Sequence, residues 1–506
     1  MTVGKLIDSL FDERQAWESL WDITYRYIAP ERATVFRKNN KLSPNEIQSE
    51  VFDSTAIESA ERLVNLLIAG LIPPWGRWFR LQPRPSLDEA IQEELRDPLQ
   101  KIAERMLQTL QDSNFYQEAQ PALLDDAVGG TGALAIREFG ERLQFRCIPL
   151  SELAIQEDAL GRVTHIARKG EIDLGSLRRL YWDKIPKMRK DQLEKRQDHE
   201  REQTYEVSVL GADEQYTYER ILKGDPEVVL EKQITKFPRL IAFRWSKVPG
   251  HAYGRGPGLR ALSDVRALNK LKELTLKNAL LAVSGVFTVV NDGVLNPHTI
   301  QIKPGAFIPV ATNSPNEPSV LPLPSFADFD VSNFSMDELR NSIKSAFMAD
   351  QFQPLGRTPM SATEVAERTR VIASDMGASL ARLQNELLMP VLRYTLDWMR
   401  RQGKLPEGVE LDDEFTEVQF VSRLAQAQWT EDRAALAELL QFAGAIGEVD
   451  PRAALTVDGE IAVRHFADLQ GTPTKLLRTT EQVTELLQQA QQARQQGQAP
   501  EAEGEA

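Results

Sequence analysis

Residues 251–274 read HAYGRGPGLRALSDVRALNKLKEL, and three glycines at alternate positions lead directly into a patterned helix. Gly254, Gly256 and Gly258 could cradle a phosphate in a nucleotide-using enzyme, or they could meet a mechanical need of the chain. The spacing G-x-G-x-G lacks the third glycine of a dinucleotide fingerprint, and the sequence contains no G-x-x-x-x-G-K-[ST] loop. The phosphate-binding interpretation therefore has little support from the motif itself.

The helix that follows the glycines carries an apolar residue at every third position. The series consists of Leu259, Leu262, Val265, Leu268, Leu271 and Leu274. Because an α-helix turns about 100° per residue, this series drifts by about 60° at each step and winds around the helix. Such a helix must be covered on more than one side. It could lie between two neighbouring subunits of a ring, or it could be buried in an ordinary core.

A cationic strip distinguishes these two possibilities to some extent. Arg266, Lys270 and Lys277 share one face of the helix, with Glu273 among them. A helix buried on all sides would not carry such a strip. The pattern therefore predicts one exposed, positively charged face beside the apolar ones.

The composition limits the classes of function. The chain of 506 residues is 42% hydrophobic, which is enough for a large core, and its net charge of -14 argues against a protein that coats itself in nucleic acid. The single cysteine, Cys147, excludes an intramolecular disulfide and a thiolate zinc cluster. The five histidines lack metal-ligand spacing. We therefore expect neither a cofactor nor a metal, and any contact with DNA must be local.

The first half of the chain mixes helical and strand patterns. Helical spacing covers about 5–30 and 54–72, where Asp53 or Ser54 begins the second segment and Pro73 ends it, and it covers 88–128. A glycine turn and a hairpin around Gly140 follow. Further strands are predicted at 162–168, 204–210, 227–236 and 239–245.

The aromatic residues of PPWGRWFRL, at 73–81, allow two interpretations. Trp75, Trp78 and Phe79 could stack on nucleic-acid bases. Aromatic residues just after the end of a helix are more typical of a hydrophobic core, which is the interpretation that we favour.

The second half of the chain begins with a change in composition. Residues 286–326 are rich in proline, short β-branched runs and turn signals, which predicts a small β-rich insert. Helical patterning returns at 336–348. A capping box of Ser361 and Glu364 then predicts the start of a long helix, which Pro390 bends or restarts. Two more helices are predicted at 430–446 and 459–468, and a glutamine-rich, acidic tail follows from 478.

Four stretches together resemble the portal, or head-to-tail connector, proteins of short-tailed, podovirus-type double-stranded DNA bacteriophages. They are VFDSTAIESAERLVNLLIAGLIPPWGRWFRL, AVGGTGALAI, HAYGRGPGLRALSDVRALNKL and GRTPMSATEVAERTR, and they follow in order over most of residues 1–400. Each motif is weak by itself and specific in combination.

The resemblance implies an α+β portal fold with an α/β wing, a two-helix stem, a β-rich clip and a helical crown. On this sequence its parts are an N-terminal wing at 1–256, a first stem helix at 257–284, a clip at 285–335, a second stem helix at 336–350, a tunnel loop at 351–361, a C-terminal wing with a long spine helix at 362–425, a crown at 426–477 and a tail at 478–506 that could form a barrel. In this arrangement Gly254, Gly256 and Gly258 would let the chain turn tightly into the stem, and Pro257 would fix the start of the helix.

The resemblance also implies a function without an enzymatic activity of the chain's own. Copies would form a ring, usually a dodecamer, at one capsid vertex of the virion, and double-stranded DNA would pass through it during packaging and ejection. A terminase large subunit and then tail adaptor or nozzle proteins would dock on the clip. The ring would nucleate assembly with the major capsid and scaffolding proteins in the host cytoplasm, without membrane insertion.

The site residues follow from this arrangement. We expect Arg357 in the tunnel loop and Arg266, Lys270 and Lys277 in the stem to contact DNA weakly, so that DNA can slide. Lys270 and Lys277 could equally pair with an acid of the neighbouring stem. The residues expected to pack between subunits are Leu262, Val265, Leu268 and Leu271.

Two alternatives stay open at this point. One is a carboxylate- and metal-dependent enzyme that processes nucleic acids, although no spacing singles out a pair of carboxylates. The other is a scaffold protein on a membrane surface, which the amphipathic N-terminus would suggest. Neither explains a β-rich insert between two helices.

Overall fold

A computed structural model describes most of the chain. The described residues are 2–33, 50–223, 225–284, 287–290, 307–310, 320–322, 329–350, 370–371, 374–405, 416–421, 430–447, 456–470, 482–483, 486 and 488–489. Within them the protein combines helices with mainly antiparallel sheets, which confirms the α+β class.

The helices of the first half up to residue 129 lie largely within the segments predicted to be helical, whereas the two that follow residue 170 were not predicted. They are α1 (Val3–Glu13), α2 (Gln15–Ile28), α3 (Pro30–Ala33), α4 (Thr55–Leu71), α5 (Glu89–Gln111), α6 (Phe115–Gly129), α7 (Leu174–Tyr181) and α8 (Lys187–Leu193). The carboxylate of Asp53 accepts a hydrogen bond from the backbone N–H of Thr55 at 3.0 Å and so satisfies an amide at the start of α4. The helix ends just before Pro73 and Pro74, which cannot continue it.

The helices of the second half enclose the insert and continue beyond it. They are α9 (Pro257–Ser284), α10 (Phe329–Ala346), α11 (Gly377–Leu383), α12 (Met389–Arg401), α13 (Thr430–Gly447) and α14 (Gly459–Gln470). A π turn, Gln384–Leu388, joins α11 to α12, and Pro390 is the second residue of α12. The helical conformation therefore continues through Pro390, with a π turn directly before it. The capping box of Ser361 and Glu364 lies outside the described residues.

The strands form four sheets. They are β1 (Phe79–Pro83), β2 (Thr131–Phe139), β3 (Arg142–Cys147), β4 (Leu153–Glu157), β5 (Val163–Asp173), β6 (Arg201–Leu210), β7 (Tyr216–Leu222), β8 (Asp225–Thr235), β9 (Leu240–Arg244), β10 (Phe287–Val290), β11 (Phe307–Val310), β12 (Val320–Pro322) and β13 (Thr416–Phe420). The sheet orders are β4-β5-β6-β7-β8, β3-β2-β9, β11-β10-β12 and β1-β13. The β2–β3 hairpin was predicted, whereas β1, β4, β7 and β13 were not.

Residues from both halves of the chain share the largest hydrophobic core. Trp21, Leu67, Leu134, Val265 and Leu387 all belong to it, although they come from distant parts of the sequence. The antiparallel pairing of β1 with β13 adds a second link between the two halves. The N-terminal and C-terminal segments therefore fold around one core.

The aromatic cluster at 73–81 supplies part of this core. Trp78 and Phe79 are buried, and the Trp78 ring stacks on Phe420 with centroids 6.5 Å apart. This confirms the core interpretation for two of the three aromatic residues. Trp75 is different, because 93% of it is exposed.

Helices α9 and α10 pack side by side and run in opposite directions. The Ser342 hydroxyl, near the end of α10, donates a hydrogen bond of 2.7 Å to Asp264 near the start of α9. The sheet of β10, β11 and β12 lies in the sequence between the two helices, so the predicted β-rich insert is present in the described residues. In it β10 pairs with β11 in parallel and with β12 antiparallel.

Candidate functional site

The glycine-rich segment before α9 crosses the end of α6 in direct backbone contact. A Cβ atom on Gly254 would lie 2.1 Å from the carbonyl oxygen of Gly130, and one on Gly256 would lie 2.5 Å from that of Ala127. On Gly258 it would lie 2.7 Å from the carbonyl oxygen of Val128. Side chains at these positions would collide with backbone, which has little freedom to move.

The physical reason for these glycines differs from the expected one. Neither Gly254, Gly256 nor Gly258 has a positive φ, so the chain does not need them for a left-handed turn. They are required because two backbones approach closely. Pro257 is the first residue of α9, as the resemblance implied.

The second glycine cluster of the sequence forms the other side of this contact. Gly130 has a φ of +84°, and a Cβ atom there would lie 2.4 Å from the carbonyl oxygen of Gly254. The Thr131 hydroxyl accepts a hydrogen bond of 3.0 Å from the backbone N–H of Gly254. The motifs AVGGTGALAI and HAYGRGPG are therefore two halves of one joint, a relation that sequence reasoning missed although both clusters were noted.

Replacing Gly254 with alanine should destabilise the fold. We expect Gly254→Ala to lower the free energy of unfolding by about 3 kcal/mol, because the added methyl group forces two backbones apart. Gly377→Ala is the matched control, since a Cβ atom on this helical glycine would have open space around it, and we expect it to be neutral or stabilising. Urea denaturation of both variants checks this, and equal stability of the two would contradict the packing argument.

The cationic strip of α9 is exposed, as predicted. Lys270 and Lys277 both pair with Glu273 on the same helix, with Nζ to carboxylate distances of 3.0 and 2.5 Å. The hydrogen bond from Lys277, and then that from Lys270, lowers the pKa of Glu273. Arg266 is exposed on the same side. Glu273 thus offsets part of the charge of the strip.

The predicted subunit-packing residues of α9 are largely covered by the chain itself. Leu262, Val265 and Leu268 are buried in the single chain, in which α9 as a whole packs against α2, α6 and α10. Val265 and Leu268 belong to the protein's own largest core, and a contact of these three residues with a neighbouring subunit stays a prediction. Leu271 is half-buried against the same core.

Three of the apolar residues that α9 leaves exposed lie on one side of the helix, toward the insert. Leu276, Leu280 and Val283 are 47%, 55% and 87% exposed, so the exposure grows toward the insert. At about 100° per residue these three positions fall within about 60° of Leu262 around the helix axis. The apolar face therefore continues beyond the point where the chain covers it.

Polar contacts hold the first part of the helix pair to the body. Arg340 of α10 forms an ion pair of 2.8 Å with Asp53 at the start of α4. Asn269 of α9 accepts a hydrogen bond from the backbone N–H of Phe52 at 2.7 Å and donates one to the Glu50 carbonyl at 2.9 Å. The helix pair is thus fixed at one end. Arg357, the expected DNA contact of the tunnel loop, lies outside the described residues.

The amphipathic N-terminus has a partner within the protein. Ile7, Leu10 and Phe11 of α1 pack against Ala167 and Val207 on the five-stranded sheet. The apolar face that suggested binding to a membrane surface is therefore buried. Among the described residues, no helix is long and apolar enough to cross a bilayer.

A metal-dependent site also finds no support in the described part of the chain. No group of three or more histidine, cysteine or acidic residues there is arranged to hold a metal ion. The buried Cys147 thiol lies near the Asp125 carboxylate, and burial, followed by this negative charge, raises its pKa to about 12. A thiol of this kind is protonated at neutral pH and unreactive.

Comparisons of the sequence with known proteins match most of the chain. The sequence profile of the family described as bacteriophage head to tail connecting protein matches residues 2–477. The probable portal protein of Bordetella phage BPP-1 is 27% identical, over 96% of this chain and 90% of its own length. The portal protein of Salmonella phage epsilon15 is 23% identical, over 95% and 89%. That of Escherichia phage T7 is 24% identical, over 79% and 74%.

The likeness to solved structures is weaker. A chain in the neck of an empty gene transfer agent particle has a TM-score of 0.37 and 13% identity, over 87% of this chain and 98% of its own. This score is too low to assign any element. The family profile, by contrast, spans almost the whole sequence. The chain therefore belongs to the bacteriophage head to tail connecting protein family.

Proposed function

We propose that this protein is the portal subunit of a bacteriophage virion. Copies of it form a closed ring at one capsid vertex, and the double-stranded genome enters and leaves through the ring. The observation that carries this proposal is the match of the head to tail connecting family to residues 2–477. The relatives that align with most of the chain are themselves named portal proteins.

The parts of the subunit follow the expected order. The wing comprises 1–256 and 362–425, and the pairing of β1 with β13 supports this union of both halves. The stem is α9 and α10, the clip is 285–335, the tunnel loop is 351–361, and the crown is 426–477. Helix α9 packs antiparallel to α10, and a β-rich insert lies between them in the sequence. Both features support the assignment of stem and clip.

The exposed face of α9 supports a ring. Leu276, Leu280 and Val283 form an apolar strip on one side of the helix. Asp264, which contacts α10, lies about 160° away from Leu262 around the axis, so α10 covers a different side. A neighbouring subunit can bury the strip, since a ring places the same two complementary surfaces together at every interface.

The charges suit a channel through which DNA slides. The chain as a whole carries a net charge of -14, so most of its surface does not attract phosphates strongly. Arg266, Lys270 and Lys277 provide a small cationic strip on the stem, and Glu273 weakens it. Such contacts, together with Arg357 in the tunnel loop, bind DNA transiently and in a salt-sensitive way.

The double variant Lys270→Gln, Lys277→Gln tests this assignment. We expect DNA binding by the assembled protein to weaken, and the slope of log K against log salt to fall by about 0.9 for each phosphate that the lysines no longer neutralise. Fluorescence anisotropy at several salt concentrations measures both quantities. Lys101→Gln, at an exposed position of α5, is the control and should leave the slope unchanged. If the assembly weakens while DNA binding stays the same, the lysines pair with a neighbouring subunit instead.

The partners follow from the location at the vertex. The clip, 285–335, binds the terminase large subunit during packaging and tail adaptor or nozzle proteins afterwards. The ring, a dodecamer, nucleates capsid assembly with the major capsid and scaffolding proteins. The chain supplies the channel and has no catalytic activity of its own.

Labelling of purified phage particles tests the proposed function. A gold-tagged antibody against this chain should mark one vertex of each opened capsid in electron micrographs. An antibody against the major capsid protein is the control and should mark all faces. Labelling at many vertices, or none, would overturn the portal assignment.

A further inference from the structure

Arg244, the last residue of β9, lies buried where several segments of the chain converge. Only 1% of the residue is exposed. Its guanidinium donates hydrogen bonds to Glu157 at 2.9 Å, to the Gly161 carbonyl at 3.0 Å and to the Ala252 carbonyl at 3.2 Å. Ala252 belongs to the segment that leads into α9. One side of Arg244 is therefore attached to the start of the stem helix.

The other side of Arg244 holds the π turn between α11 and α12. The Glu386 carboxylate accepts hydrogen bonds from Nη2 of Arg244 at 2.8 Å, from Nε at 3.1 Å and from its backbone N–H at 3.0 Å. Three charge-assisted hydrogen bonds to one carboxylate form a strong and directional pair. Arg244 thus links the π turn to the start of α9.

The π turn has a register that differs from that of an ordinary α-helix. In it the N–H of Met389 bonds to the carbonyl of Gln384, five residues earlier, in place of the usual four. A helix that returns to the ordinary spacing has one residue fewer in that turn, which rotates its side chains by about 100°. Such a rotation would carry Glu386 away from Arg244. The pair therefore stabilises the π register.

Asp126 lies near both the π turn, 384–388, and the glycine-rich segment that leads into α9. Asp126 lies in the last turns of α6, and a Cβ atom on Gly256 would lie 2.5 Å from its carbonyl oxygen. Burial, and next the nearby charge of Glu386, raises the pKa of the Asp126 carboxyl well above its ordinary value. Asp126 therefore lies within electrostatic reach of Glu386, and its backbone closely approaches Gly256.

We propose that Arg244 and Glu386 form a mechanical joint that couples the register of the π turn, 384–388, to the position of the start of α9. A force or contact that moves α11 and α12 then moves the stem helix as well. The two directions of this coupling are equal in free energy, so a displaced stem shifts the register of the π turn. The joint lies within a single chain and does not depend on the proposed function.

Amide hydrogen exchange tests the joint in the unchanged full chain and in two variants of it. Glu386→Gln keeps the shape of the side chain and removes its charge. Arg382→Gln is the matched control, because Arg382 also bonds to Glu386, at 3.0 Å, but lies on α11 itself. The peptides to follow are 377–401, which contains the π turn, 246–262, which contains the start of α9, and 201–222, in the five-stranded sheet.

The joint predicts a selective effect. Glu386→Gln should speed exchange roughly tenfold in both 377–401 and 246–262, since it removes charged hydrogen bonds, and should leave 201–222 unchanged. Arg382→Gln should affect 377–401 alone. If Glu386→Gln changes only its own helix, or speeds exchange uniformly across the chain, the pair is an ordinary structural contact and the joint is refuted.

A milder variant covers the case in which Glu386→Gln does not fold. Glu386→Asp keeps the charge and withdraws the carboxylate by one methylene, so it should give the same two-site pattern at a smaller magnitude, about threefold. No change at 246–262 in that variant would also refute the joint. Because amide exchange is measured for peptides of the single chain, these results do not depend on whether the protein forms a ring.

Discussion

Leu280→Asp should leave the chain folded and prevent it from assembling into a ring. Leu280 is 55% exposed on the part of α9 that the chain does not cover, so a carboxylate there meets water in the single subunit. In the proposed ring the same carboxylate would be buried against a neighbour without a partner. We expect a cost of at least about 3 kcal/mol per interface, and the cost recurs at every interface of the ring.

Size-exclusion chromatography with light scattering measures this effect. Leu160→Asp is the matched control, since Leu160 is 80% exposed in the turn between β4 and β5, away from the stem. It should assemble like the unchanged protein. If Leu280→Asp also assembles normally, the exposed face of α9 is not the interface. Circular dichroism of both variants verifies that each is folded.

Glu206→Gln should produce the largest loss of stability. Glu206 lies at the centre of the five-stranded sheet, fully buried among three arginines. Its carboxylate is 3.0 Å from Arg137, 3.2 Å from Arg168 and 3.6 Å from Arg220. Tyr218 donates a further hydrogen bond of 2.9 Å. The amide cannot balance these charges, so we expect the free energy of unfolding to fall by about 3–5 kcal/mol.

An exposed ion pair on the same sheet provides the control. Glu171 is 3.4 Å from Arg201, and both side chains are largely in water. Glu171→Gln should change the free energy of unfolding by less than about 1 kcal/mol. Guanidinium denaturation of both variants compares the two costs. Similar effects of the two substitutions would show that the Glu206 cluster contributes no more than a surface pair.

The same cluster should make stability depend on pH. Burial by itself would raise the pKa of Glu206, but the charges of Arg220, Arg168 and Arg137 outweigh it and lower the pKa to about 2 from an ordinary 4.5. The contribution of the ionised carboxylate is therefore complete above pH 4.5 and is lost as the pH falls toward 2. The stability gap between the unchanged protein and Glu206→Gln should narrow over this range. A gap that stays constant as the solution is acidified from neutral pH to about pH 3 would contradict the assigned pKa.

Helix positions could be predicted well from the sequence because their signals are local. The apolar period, Pro73 and Pro257 determine where helices run, end and begin, and α4 and α9 were predicted within about two residues of their observed bounds. The insert between α9 and α10 was also evident from its prolines and turns. These features depend on neighbours in the chain, which a single sequence displays.

Contacts between distant residues could not be predicted in the same way. Arg168, Glu206 and Arg220 lie on three neighbouring strands that pairing brings together, and Arg137 reaches Glu206 from β2, which belongs to another sheet. The pairing of the two glycine clusters was missed for the same reason. A pattern of hydrophobic residues also does not say what covers it, so the burial of Leu262 within its own chain could not be predicted.

The cationic strip of α9 could be predicted in part. The exposure of Lys270 and Lys277 was predicted correctly from their spacing on one helix face, and so was the presence of Glu273 among them. Their role depends on what lies opposite them in an assembly. It stays a prediction, as does that of Arg357.

Native mass spectrometry of the purified chain, paired with negative-stain electron microscopy, tests the central claim most directly. The account predicts a closed ring with a central hole, in which each neighbour covers the exposed apolar residues of one stem, and the family resemblance implies about twelve copies. A monomer or dimer that persists as the concentration is raised, without a hole in the images, would contradict the portal assignment.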